Sequence, residues 1–130
     1  MLVIRDDNSI YLTRGDIASI QITALNSSGE EYLFKSGDIV RFSIFEKGHY
    51  DNLVLRRDVE VTTETKFVNI NLSGNDTKIG ELINRPQHYW YEVELNPDTA
   101  PQTIIGYDNN GPKILTLFPE GVEPEWLLNQ

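Results

Sequence analysis

The sequence predicts an all-β protein, an antiparallel β-sandwich of about 8–9 short strands. Apolar residues alternate with period two in almost every apolar segment, which puts one face of each strand toward a core. Gly, Asp, Asn and Pro clusters fall between those segments at the spacing of hairpins and arches. Most of the segments lie too close together for a crossover helix to separate them, which favours antiparallel pairing over βαβ units.

Taken in order, Ser9 to Thr13 is a short strand candidate that ends at the turn Arg14-Gly15-Asp16. In Ile17 to Ala24, Ala18, Ile20, Ile22 and Ala24 face inward against Ser19, Gln21 and Thr23, and the turn Asn26-Ser27-Ser28-Gly29 follows. Tyr32 to Phe34 is a further short candidate before Lys35-Ser36-Gly37-Asp38. From Ile39 to Phe45 the inward set is Val40, Phe42 and Ile44. From Leu53 to Val61 the odd positions are apolar except Arg57, and that interruption is expected to mark a bulge near Arg56-Arg57. Val68, Ile70 and Leu72 alternate with Asn69 and Asn71. Ser73 to Ile83 is read as one short helical turn near 75–83, capped by Ser73 or Asn75, with Asp76 close to its positive end. Tyr89, Tyr91, Val93 and Leu95 then alternate with His88, Glu92 and Glu94, and the turn Asn96-Pro97-Asp98 closes that strand. Gln102 to Ile105 and Lys113 to Phe118, separated by Asp108-Asn109-Asn110-Gly111, complete the set. The expected organisation is a sandwich domain over 1–119 and an acidic tail over 120–130 with an apolar end.

The 130 residues include 20 Asp plus Glu against 11 Lys plus Arg, a formal charge of −9. That charge repels phosphate backbones and anionic membrane surfaces, so neither nucleic acid nor membrane is an expected partner. With no cysteine, disulfide scaffolds, thiolate metal sites and cysteine nucleophiles are excluded. No apolar run approaches the roughly 20 residues that span a bilayer, and Met1 to Asp7 lacks the features of a signal peptide. A soluble domain is expected.

Chemistry-bearing motifs are sparse. Arg14-Gly15-Asp16 matches an adhesion tripeptide, yet its strand-like flanks make it a turn. His49 and His88 lie in different segments and lack metal-ligand spacing, and no cofactor is expected. Asp6-Asp7-Asn8 and Asp108-Asn109-Asn110-Gly111 offer oxygens to calcium without the twelve-residue loop pattern. There is no Gly-x-Ser-x-Gly elbow and no phosphate-cradling loop, so the chain reads as no enzyme. Exposed aromatics carry more information, because a large exposed ring costs free energy unless something covers it. With Tyr89 and Tyr91 inward, His88 and Trp90 share the outer face with Glu92 and Glu94. Trp90 then lies under the arm Ile83 to Gln87, stacks on a sugar ring, or sits in a protein interface. Trp126, Leu127 and Leu128 either fold back on the domain or dock into a neighbouring subunit. Trp90, His88, Trp126, Leu127 and Leu128 are therefore the candidate interface residues.

The motifs also occur in a distinctive order. An N-terminal strand is followed by Leu12-Thr13-Arg14-Gly15-Asp16, Tyr32-Leu33-Phe34 and Ser36-Gly37-Asp38-Ile39-Val40-Arg41-Phe42-Ser43-Ile44. Then come Leu53-Val54-Leu55 with Arg56-Arg57, Leu72-Ser73-Gly74-Asn75-Asp76-Thr77, and Tyr89-Trp90-Tyr91-Glu92-Val93-Glu94-Leu95. Over about Leu2 to Phe118 this resembles the N-terminal domain of the upper baseplate proteins of phages infecting Gram-positive bacteria, and small stand-alone tail or baseplate proteins similar to it. The resemblance implies an immunoglobulin-like sandwich that is non-enzymatic and attaches receptor-binding machinery to the tail tip. It implies other tail and baseplate proteins as partners, a homo-oligomer as a possible state, and the virion tail, assembled in the bacterial cytoplasm, as the location. A longer insert, Ile79 to Gln87, and the lack of a fibre-like extension favour an adaptor or accessory module. The alternative on the same scaffold is a carbohydrate-binding module that uses His88, Trp90 and nearby acids.

Overall fold

The computed structural model describes residues 2–80 and 85–119, which form nine strands in two sheets and, among the described residues, no helix. The strands are β1 (Leu2–Ile4), β2 (Ile10–Thr13), β3 (Ala18–Ile22), β4 (Ile39–Glu46), β5 (His49–Glu60), β6 (Val68–Leu72), β7 (Gln87–Leu95), β8 (Gln102–Ile105) and β9 (Lys113–Phe118). The large sheet runs β1-β2-β9-β7-β4-β5, with β8 added to the end of β7, and the small sheet is β3 beside β6. A sheet of β9-β7-β4-β5 facing a β3-β6 pair is the immunoglobulin-like arrangement of strands G, F, C and C′ over B and E. All pairs are antiparallel except β2 with β9, where Ile10 lies opposite Leu115 and Thr13 opposite Phe118.

The alternation in the sequence becomes the core. Ile10, Leu12, Val40, Phe42, Ile44, Tyr91, Val93, Leu115 and Leu117 of the large sheet meet Ile20, Ile22, Val68, Ile70 and Leu72 of the small one in a single buried cluster. The Tyr91 hydroxyl, buried with its ring, donates to the Asn8 carbonyl and thereby ties β7 to the β1–β2 turn. Burial pushes the Tyr91 phenol well above its usual value.

Tyr32 to Phe34 does not form a strand. It lies on the arch from the small sheet to the large one, where the Tyr32 N–H donates to the Ala24 carbonyl at 2.8 Å and the reciprocal Phe34–Thr65 backbone bonds at 2.8 and 3.1 Å seat the fully buried Phe34. The bulge lies elsewhere than expected. Ile44 pairs with Leu55 and Phe45 with Leu53, so Val54 is the extra residue, while Arg57 keeps its register opposite Phe42. Arg57 interrupts the apolar phase because its guanidinium pairs with Asp76 from the next connection, Nε lying 3.3 Å from Oδ2.

That connection is a single turn. The Ser73 hydroxyl accepts from the Asp76 N–H at 3.1 Å, the Asp76 carboxylate accepts from the Ser73 N–H at 2.9 Å, and the Thr77 N–H donates to the Ser73 carbonyl. Residues 81–83 of the expected helical turn near 75–83 lie outside the described residues. The turn also holds Arg14-Gly15-Asp16 down. The buried Thr77 hydroxyl accepts from the Gly15 N–H at 3.0 Å and donates to the Asp16 carbonyl at 2.7 Å, while Arg14 donates to the Ile79 carbonyl at 3.1 Å.

Candidate functional site

Strand register sorts the outer face of the large sheet into rows. Val3, Tyr11, Thr116 and His88 form one row, and Ile114, Trp90 and Phe45 the next. Glu92, Ser43 and Arg56 follow, then Glu94, Arg41 and Asp58. The face therefore grades from aromatic to charged along the strands.

The charged end is organised around Arg41. Arg41 donates two bonds to Asp58, at 2.8 and 3.0 Å, and reaches Asp98 at 3.1 Å. Hydrogen bonds from Arg41 hold the Asp58 carboxyl below its usual range, against the opposing effect of burial. Long side chains lying over the sheet leave Ser43 and Thr116 buried although they point outward. Thr116 is in turn hydrogen-bonded to His88 Nδ1 at 3.0 Å.

The aromatic end is built by the β4–β5 hairpin. Gly48, at φ 82°, permits the tight turn that brings Tyr50 back over β4. Its ring packs against Phe45 at 5.2 Å and against Trp90 at 5.0 Å with a 48° tilt. Tyr50 remains 38% exposed, so the stack ends in solvent. Beside it, Glu92 is partly buried, and burial followed by the charge of Glu94 raises its carboxyl above the usual value. Burial, then Glu92 and Tyr107, likewise raise the Tyr50 phenol. Gly106 lets the β8–β9 loop turn back against β8, because a Cβ there would meet Thr103 Cγ2 at 2.6 Å, and it leaves the loop within ordinary contact distance of Glu92 on β7. The next residue, Tyr107, is 67% exposed. Tyr50, stacked on Trp90, thus lies close enough to the half-buried Glu92 and to Tyr107 to feel both electrostatically.

Of the candidates named from sequence, His88 and Trp90 share this face two residues apart on β7. Trp126, Leu127 and Leu128 lie outside the described residues. Sequence reasoning missed Tyr50, Phe45 and Tyr107. The available signal was Lys47-Gly48, a hairpin turn following an alternating run, which returns the next aromatic onto the strand just left. The two loops considered for calcium use their oxygens internally. Asp7 accepts from the Ser9 N–H at 2.9 Å, while Asp108 accepts from the Asn110 N–H at 2.8 Å and pairs with Lys113 at 2.8 Å. Among the described residues, no three His, Asp or Glu side chains are grouped to hold a metal ion.

Compared with known proteins, the chain matches no family model, no curated protein sequence and no solved structure.

Proposed function

We propose that the protein is a non-enzymatic assembly module of a phage tail or baseplate, binding its partner through the aromatic end of the outer sheet face. The observation that carries this reading is the Tyr50–Trp90 stack beside Tyr107 and the half-buried Glu92. Aromatic rings set in a partly desolvated patch with a polar surround are the composition of interface hot spots. The motif order supports the tail and baseplate class. Asp38, Asp58 and Asp76 each accept bonds that hold a turn or a strand pair.

One observation favours a second reading, as a carbohydrate-binding module. Tyr107 is largely exposed next to an acid, which suits stacking on a pyranose ring. A single experiment separates the two. Full-length wild type and Tyr50→Arg/Tyr107→Ser are each mixed with purified tail particles and, separately, with cell-wall saccharide from the host. The proposal expects wild type to co-sediment with particles, the variant to lose at least tenfold in affinity at unchanged circular dichroism, and saccharide to bind neither. Saccharide binding by wild type that the variant loses, without particle binding, replaces the assembly role with the glycan role.

A further inference from the structure

A second feature lies on the opposite side of the large sheet. At the flank where β3 and β8 each have a single strand partner among the described residues, a cleft of about 710 Å³ opens between the sheets. Its floor holds the buried Ile20 and Ile22 of β3, the half-buried Ile104 and Ile105 of β8 form one side, and polar residues such as Gln21 and Thr103 share the lining, with Ile4 and Leu25 exposed at the rim. Leu25 is 70% exposed. None of the 18 described residues that line it carries a charge, in a chain with 31 Asp, Glu, Lys and Arg. The antiparallel β3–β6 ladder uses the backbone groups of alternate residues, so those of the remaining β3 residues point toward the cleft side.

We propose that the Trp126-Leu127-Leu128 segment of the same chain packs into this cleft and covers the open flank of the sandwich. Three arguments select this occupant. Its side chains are apolar and suit Ile104, Ile105 and Leu25, while the accompanying Glu120, Glu123 and Glu125 meet no carboxylate among the described lining residues. It is also within reach. The Phe118 carbonyl accepts from the Arg14 N–H, which fixes the exit point three residues beyond Leu115, itself in register with the cleft residue Ile10. Those three residues cover about 10 Å, whereas the eight residues from Phe118 to Trp126 extend to about 26–29 Å. Finally, a short tether supplies an effective concentration of about millimolar, so the chain's own segment outcompetes that of a second copy.

The test uses the full chain carrying Trp90→Phe, which leaves Trp126 as the one remaining indole of two. Trp126 is expected to emit at shorter wavelength than free tryptophan, to resist acrylamide several-fold better, and to show nuclear Overhauser contacts to isoleucine methyls at any protein concentration. Adding Gln21→Glu and Leu25→Glu, both at exposed rim positions that do not support the core, is expected to red-shift the emission and abolish the protection by repelling the acidic segment. Free quenching of Trp126 in the parent overturns the proposal, as does protection that the rim charges leave intact. Protection that vanishes on dilution overturns it too, because it assigns the cleft to a second copy.

Discussion

At Asn96 the chain leaves β7 with a left-handed φ of 49°, a conformation that asparagine tolerates better than most residues. Its side chain accepts from the Ile39 N–H at 2.8 Å and donates to Asp38 at 3.1 Å, and Asp38 also receives the Lys35 N–H and the Tyr32 hydroxyl. Burial works to raise the Asp38 carboxyl, but these donors overcome it and hold it below its usual value. Asn96→Ala is expected to cost about 2 kcal/mol through backbone strain and unpaired groups. By thermal denaturation, that corresponds to a fall in Tm of about 6–10 °C. Glu92 behaves in the opposite sense. Because its folded value is raised, its ionisation destabilises the fold as pH climbs from the ordinary carboxylate value of about 4.3 through the raised one. Glu92→Gln is expected to be more stable than wild type at neutral pH and equal to it below about pH 4, measured by urea unfolding across that range.

At the scale of elements, the turn after β6 is the clasp of the sandwich. Thr77 reaches the Gly15 N–H and the Asp16 carbonyl, and Gly74 approaches so closely that a Cβ would lie 2.7 Å from the Gly15 oxygen. Thr77→Val keeps the volume but removes the bonds to both backbone groups, at an expected cost of about 1–3 kcal/mol in chemical denaturation. The strands themselves were legible in the sequence wherever one face is buried. Ile20, Ile22, Phe42, Ile44, Ile70, Tyr91 and Val93 alternate because burial demands it. Period two, however, says which face a residue takes and not which strand lies beside it. The parallel β2–β9 pair and the split between sheets therefore had no local signature. Arg57 was misread for a related reason, since the partner that accommodates it, Asp76, lies 19 residues away. Tyr50 and Tyr107 escaped because their role depends on two loops converging over Glu92. The outer-face position of Trp90 and His88 was legible because they sit in the phase opposite the core.

For the whole molecule, the acid limb of stability follows from the paired carboxylates. Arg57 and the Ser73 N–H lower Asp76, Arg41 lowers Asp58 against burial, and Lys113 lowers Asp108. A depressed folded value means a contribution that is complete above the unfolded value of about 3.9 and lost as pH falls through the folded one. Unfolding free energy is therefore expected to drop below about pH 4, and the slope to flatten in Asp58→Asn/Asp76→Asn. At neutral pH the −9 charge keeps copies of the chain apart in solution, so stable association calls for a specific contact rather than general stickiness. The outer aromatic face is the surface we propose for that contact. The most direct test of its role is mass spectrometry of density-purified phage particles after induction of the host, with copy number taken relative to the major tail protein. The assembly reading expects the chain in intact particles at a few to a few tens of copies. Its absence from particles while it is abundant in the same lysate would contradict that reading.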